Sequence, residues 1–166
     1  MIIIRKLIKE DFIQIHQSFN DIGWSKPISL FEQYFNEQEK GQRVCFIALS
    51  GDIFAGYATL LNKSKYENFA NNNIPEISDL NVLRKFQNQG IGTLLIKECE
   101  KIAKITSNKV GLGVGLTSDY ANAFRLYLKL GYLLDGNGLA SNGKILKYNE
   151  TAVVNDELNL YLIKIL

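Results

Sequence analysis

The spacing of apolar positions changes several times along the chain, and each change marks an element. Residues 2–8, IIIRKLI, read as a strand. From Asp11 to about Asn20, Phe12, Ile15 and Phe19 recur at helical spacing, with His16 on the same face. The segment from Ile22 to Pro27 breaks that pattern. Leu30, Phe31, Tyr34 and Phe35 then form a second helical stripe, and Gly41 is placed to end it. Ser29 and Glu32 have capping-box spacing, which predicts that this helix starts at Ser29. Arg43–Leu49 and Ile53–Leu61 are strand-like runs around Ser50-Gly51-Asp52, predicting an antiparallel hairpin. Residues 62–73 are polar, rich in Asn and without period, and read as a loop.

The pattern is sharpest after residue 74. Pro75–Leu83 reads as a strand. Ile91, Leu94, Leu95, Cys99, Ile102 and Ala103 share one helical face, with Glu98, Lys101 and Lys104 off it. In Lys109–Leu116, Val110, Leu112, Val114 and Leu116 alternate with Gly111, Gly113 and Gly115, giving a strand with one apolar and one bare face. A bare face serves either a ligand or backbone that comes close, or a tightly packed helix. Thr117 to Leu130 reads as a helix, with Ala121, Phe124, Tyr127 and Leu128 at helical spacing and Gly131 as C-cap. Tyr132–Leu134 starts a strand, Asp135–Asn142 reads as a turn or loop, and Tyr148–Val154 and Asn159–Leu166 are the last strand candidates. With 166 residues, no internal repeat and no linker, a single domain over residues 1–166 is expected.

Composition mainly excludes. Hydrophobic residues at 46% and charged residues at 22% suit a globular chain with a real core. A net charge of +2, with no Lys/Arg cluster interleaved by aromatics, argues against a nucleic-acid partner. Cys45, Cys99 and the single His16 lack metal-ligand spacing, so no metal is expected, and both cysteines read as small buried hydrophobes. His16 reads as a packed residue, because nothing near it in sequence forms a catalytic pair. The N-terminal apolar run is too short for a signal peptide, and no stretch approaches the roughly 20 apolar residues of a membrane span. These features predict a cytoplasmic protein without a membrane partner.

Gln87-Asn88-Gln89-Gly90-Ile91-Gly92 stands between the strand and the helix around Leu95. A helix start presents N–H groups without helical acceptors and the positive end of the macrodipole, and glycine lets a ligand approach the backbone. That combination suits phosphate. The other reading is a turn whose glycines serve packing alone. No Gly-Lys-Ser/Thr follows, so this is not a P-loop, and Leu95 stands where a dinucleotide fingerprint needs its third glycine.

Strand, Gln-x-x-Gly-x-Gly and amphipathic helix together resemble the acetyl-CoA pyrophosphate loop of the GNAT superfamily of N-acetyltransferases. Asn122-Ala123-x-x-Leu126-Tyr127-x-x-x-Gly131-Tyr132 resembles the second cofactor segment of that superfamily, and the order of elements matches over nearly the whole chain. The resemblance implies an α/β (α+β mixed) fold: a central, mostly antiparallel, splayed mixed sheet flanked by helices. It implies acetyl-CoA as co-substrate and an amine as acceptor. It further implies that Asn81, Val82 and Leu83 lie along the pantetheine arm, and that Gln87, Asn88, Gln89, Gly90, Ile91, Gly92 and Thr93 cradle the pyrophosphate. In this reading Arg84 and Lys85 add positive charge, Asn122 bonds the pantetheine side, and a backbone N–H near Val82 holds the oxyanion.

The implied reaction is attack of a neutral amine on the thioester. A lysine-like amine, with a pKa near 10.4, is neutral in only about one molecule in 2,500 at pH 7, so a general base helps. Tyr127 matches the tyrosine of that superfamily and would protonate the departing thiolate, while its place on the apolar stripe also fits simple packing. Glu76 and Asp79 are the candidate bases, with Glu76 slightly ahead as the nearer to the open end of the strand. Their odd separation puts them on opposite faces of a regular strand unless a bulge intervenes, and water could serve instead. Trp24, Tyr34 and residues 63–73 are candidates for the acceptor site. A non-catalytic acyl-CoA-binding module and a transferase of a longer acyl group are the alternatives. The late strands could pair with a second chain as a homodimer or close the sheet of a monomer.

Overall fold

The computed structural model describes residues 1–166, which form two compact units. The first comprises residues 1–61 and 79–101, and the second residues 62–78 and 102–166. Strand β4 (Glu76–Val82) and helix α4 (Ile91–Thr106) each contribute residues to both.

In the first unit, β1 (Ile2–Lys6), β2 (Arg43–Ser50) and β3 (Ile53–Leu61) form an antiparallel meander. The hairpin is the predicted one, and Gly51 supplies its positive φ of 61°. Helices α1 (Asp11–Asn20) and α2 (Ile28–Glu39) bury their apolar stripes in a core that includes Leu7, Ile15, Phe19, Phe31, Phe54 and Tyr57. The predicted capping box does not form. Helix α2 begins one residue earlier, with Pro27 at the N-cap in extended conformation and no side-chain cap bond. Gly41, with φ 67°, follows the last turn as expected. Within this unit α4 buries Ile91, Leu95, Ile96 and Cys99, whereas Leu94 is 40% exposed. The buried face is therefore rotated from the predicted one, with Ile96 inside in place of Leu94.

In the second unit, β4 pairs in parallel with β5 (Lys109–Gly115) through only two residue pairs, Glu76↔Gly111 and Ile77↔Leu112. Along its whole length β5 also pairs antiparallel with β8 (Leu158–Ile165). Strand β6 (Leu133–Ser141) pairs with β8 and folds back onto β7 (Lys144–Ile145). The strand order reads β1-β2-β3-β4-β5-β8-β6-β7, a mixed sheet with helices around it, in agreement with the predicted fold class.

Three expectations for this unit fail for physical reasons. Residues 62–73 contain a short helix, α3 (Glu67–Asn71), because Tyr66 and Phe69 seed a second core with Ile74, Ala140 and Tyr161. Tyr66 stacks on Tyr161 at 3.7 Å between centroids, and Phe69 meets Tyr161 edge-on at 5.4 Å. The Gly/Asn-rich run from 135 is strand rather than loop. Its register shifts between Leu134 and Leu139, and Gly136 and Gly138 absorb the irregularity at positive φ. No strand forms over residues 148–154.

The bare face of β5 is filled by aromatic rings. A Cβ on Gly111 would fall 2.1 Å from the Phe69 ring, one on Gly113 would lie 3.1 Å from Tyr161, and one on Gly115 2.5 Å from Tyr120. These glycines make room for side chains of their own unit. That settles the choice left open in the sequence in favour of packing.

Candidate active site

The turn before α4 has the geometry of an anion cradle. Asn88 and Gly90 both take positive φ, 59° and 80°, which folds successive N–H groups toward one side. The first helical bond runs from the Leu94 N–H to the Gly90 carbonyl at 3.1 Å. The N–H groups that precede it at Ile91, Gly92 and Thr93 therefore have no helical acceptor. Gln87 to Gly90 are exposed, as are Arg84 and Lys85 just before them. The two loop glutamines brace the turn: Gln87 Nε2 donates to the Val82 carbonyl at 3.1 Å and Gln89 Nε2 to the Lys85 carbonyl at 3.2 Å. Ile91 is buried, so only its backbone faces the turn. Leu83 is committed elsewhere. Its side chain lies in the core, its N–H bonds Ala55 and its carbonyl accepts from Phe86.

Asp79 has left the strand alternation, with φ at 50°. This is the local break that the odd spacing of Glu76 and Asp79 left open. Its carboxylate lies in a cluster that includes two further residues unmarked by the sequence, Lys26 and Tyr57. Oδ1 accepts from Lys26 Nζ at 2.9 Å and Asn81 Nδ2 at 2.8 Å. Oδ2 accepts from the hydroxyls of Tyr57 at 2.5 Å and Tyr34 at 2.8 Å. Four donors use the four acceptor positions a carboxylate offers. Burial by itself would raise the Asp79 pKa, but the Lys26 charge and the bonds from Tyr57, Lys26 and Tyr34 outweigh it and hold the group below its usual range. Burial, and then the Asp79 charge, push the Tyr57 and Tyr34 phenols upward. Tyr57 had read as an ordinary strand residue and Lys26 as part of a break, so neither carried a periodic signal.

In the second unit, Glu76 is buried, and its Oε2 accepts from Ser64 Oγ at 2.5 Å. Ser64 Oγ in turn accepts the Tyr66 N–H at 2.9 Å. The 63–73 segment thus spends its aromatic residues on the core and its serine on Glu76. Helix α5 (Ala121–Lys129) carries Asn122 exposed in its first turn and Tyr127 buried, 7% exposed. Burial, followed by the nearby Tyr120, pushes the Tyr127 phenol up to about 12. Its ring lies 6.2 Å from that of Tyr132, and the hydroxyl makes no hydrogen bond within the chain. No group of three His, Cys, Asp or Glu residues is placed to hold a metal ion. No helix is long and apolar enough to cross a membrane.

Comparison with known proteins places this architecture. Elongator complex protein 3 of Schizosaccharomyces pombe is 47% identical over 57 residues, which are 32% of this chain and 9% of that protein. The chain therefore matches less than a tenth of the length of this curated relative. An N-acetyltransferase from Staphylococcus aureus Mu50 superposes with a TM-score of 0.72 at 18% identity, over 99% of this chain and 98% of the other. The PaiA N-acetyltransferase of Thermoplasma acidophilum, in complex with coenzyme A, superposes with a TM-score of 0.65 at 16% identity, over 100% and 99% of the two chains. At these identities the superpositions establish a shared fold. The model of the acetyltransferase (GNAT) family matches residues 5–132. That match runs from β1 past the turn before α4 to Tyr132 behind α5, and it shows that the chain belongs to the GNAT acetyltransferase family.

Proposed function

We propose that this acyltransferase moves an acetyl group from acetyl-CoA to the primary amine of a small molecule or peptide, by direct attack of the amine on the thioester. The observation that carries the reading is the turn from Asn88 to Thr93, whose positive-φ residues and free N–H groups suit a pyrophosphate. The relative from Thermoplasma acidophilum, in complex with coenzyme A, supports the same ligand class.

When bound, acetyl-CoA supplies an activated carbonyl and a thiolate leaving group. The chain provides the rest. Gln87 to Thr93 hold the pyrophosphate through backbone N–H groups, and Arg84 and Lys85 add charge from exposed positions. Asn81 and Val82 border the pantetheine arm, and the side chain of Asn122 has no partner in the chain that would compete with it. Leu83 contributes as a core anchor beneath them. Tyr127 holds a proton at neutral pH, since its pKa is pushed up to about 12, and its unpartnered hydroxyl is able to donate to a departing thiolate.

Glu76 is the first candidate for the base. Asp79 is a weaker one, because its acceptor positions are filled and its pKa is depressed. Asp79 serves better as the negative pole of the acceptor site, with Tyr34 bonded to it and Trp24 over its partner Lys26. The reading includes a cytoplasmic setting and no metal requirement, as the composition suggests.

The test is release of free thiol from acetyl-CoA over a panel of amines. Release that depends on a particular amine is the expected result. Binding of acetyl-CoA with no release from any amine would favour the non-catalytic acyl-CoA-binding module instead.

A further inference from the structure

Lys26 places its ammonium inside a cage built by the chain itself. Nζ lies 5.6 Å from the ring centroid of Phe19, 5.5 Å from that of Trp24 and 5.2 Å from that of Tyr57. Phe19 and Trp24 fall within the roughly 6 Å at which an aromatic face attracts a cation, whereas Tyr57 meets the ammonium with the hydroxyl at its ring edge. The same Nζ donates to Asp79 Oδ1 at 2.9 Å and to Tyr57 Oη at 2.5 Å. Two aromatic faces, a phenolic oxygen and a carboxylate make a recognition site for an alkylammonium group.

The walls and the occupant differ in how they are held. Phe19, Tyr57 and Asp79 belong to α1, β3 and β4, and the first two are fully buried. Trp24 and Lys26 come from the turn that joins α1 to α2. That turn reverses at Gly23, with φ 73°, and leaves Trp24 53% exposed. The His16 ring ties the turn to α1, with Nδ1 donating to the Lys26 carbonyl at 2.7 Å. The other ion pairs around the core are built differently. Arg5 grips Asp11 with two bonds of a rigid fork, at 2.8 and 2.6 Å, and Arg43 reaches Glu37 at 2.6 Å. The cage instead holds the tip of a flexible butyl stem, the shape of a ligand with one cationic end.

We propose that this cage binds the ammonium end of the acceptor, an unbranched primary alkylamine, and that Lys26 occupies it as an internal competitor which the acceptor displaces. The proposal rests on the acetyltransferase reading for the word acceptor, but not for the site itself.

Trp24 is the only tryptophan in the chain, so its emission reports on this cage without any turnover. The experiment titrates n-butylammonium, a lysine side chain without its backbone, into the full chain at neutral pH with no acetyl-CoA present. Lys26→Ala should bind it at least tenfold more tightly than the parent protein. Adding Asp79→Asn to Lys26→Ala should abolish that gain, and n-butanol, of the same shape without the charge, should give no response. If Lys26→Ala fails to fold, Lys26→Gln removes the charge while keeping a donor for Asp79, and the same order is expected.

A vacated cage that binds n-butylammonium no better than the parent protein, or that binds n-butanol equally well, overturns the proposal. Failure of the acetyltransferase reading shows separately, as absent thiol release with an intact Trp24 response.

Discussion

Gly56 of β3 lies so close to β4 that a Cβ there would fall 2.5 Å from the Asn81 carbonyl oxygen and 3.0 Å from the Val82 Cα. The neighbouring Tyr57 reaches Asp79 through its hydroxyl at 2.5 Å. The missing side chain at Gly56 thus lets Asn81 and Val82 of β4 settle against β3, with the Asp79 cluster formed alongside. Gly56→Ala should destabilise the protein by about 1–3 kcal/mol, as overpacking of a filled site does. It should also lower amine turnover by disturbing Asp79. Denaturant unfolding measures the first effect. An unchanged midpoint would mean that β4 has room to yield.

Gly111→Ala makes the same demand in the second unit, where the added Cβ would meet the Phe69 ring. A loss of about 1–3 kcal/mol is expected. Phe69→Leu should partly relieve it, so the two changes should show a favourable coupling of about 1 kcal/mol in a double-mutant cycle. Strict additivity would contradict the ring-for-side-chain packing described for β5.

Asp79 has its pKa depressed in the folded protein, so it binds fewer protons there than in the unfolded chain at acid pH. Its contribution is therefore fully present well above the ordinary carboxylate value of about 3.9, and is lost as pH falls through the lower folded value. Asp79→Asn should cost about 1–3 kcal/mol near neutral pH, and the gap from the parent should narrow in acid. Unfolding curves at pH 7 and pH 3 read this directly. A gap that stays constant, or widens in acid, would refute the charge assignment.

Tyr127→Phe keeps the ring that fills the α5 contact and removes the hydroxyl. Turnover should fall by about 10²–10⁴, the usual share of a general acid, with acetyl-CoA affinity nearly unchanged. Since burial pushes the phenol up to about 12, Tyr127 should impose no basic limb on the rate profile below about pH 10. Steady-state rates across pH check both statements, and a full-speed Tyr127→Phe would remove this residue from the chemistry.

What could be read in the sequence follows from how local its causes are. The β2/β3 hairpin, the stripes of α1 and α2 and the order strand–turn–helix at residues 76–106 are written in neighbouring residues and form as expected, although the buried face of α4 takes Ile96 in place of Leu94. The glycine face of β5 is visible in the sequence, but of its partners only Tyr120 lies nearby, and Phe69 and Tyr161 come from distant segments. The same applies to Asp79. Its position in the strand was clear, whereas its left-handed backbone and its bonds to Lys26, Tyr34 and Tyr57 depend on tertiary packing. Residues 135–142 misled because glycine and asparagine mark turns and bulged strands alike. The apparent strand at residues 148–154 has a fitting composition, but no partner strand pairs with it.

The most direct test of the central claim is calorimetric titration of acetyl-CoA into the parent protein and into Gly90→Asp. The substitution puts a negative charge in the turn where the pyrophosphate should sit, at a position with no neighbour within 4 Å of a new Cβ. Its φ of 80° adds some strain, so circular dichroism should accompany the titration to show that the fold persists. The predicted result is saturable binding by the parent protein and at least tenfold weaker binding by Gly90→Asp, a difference of about 1.4 kcal/mol or more. Equal affinity in two folded proteins would contradict the assignment of residues 87–93 to the pyrophosphate, and no binding by the parent protein would contradict acetyl-CoA as the co-substrate.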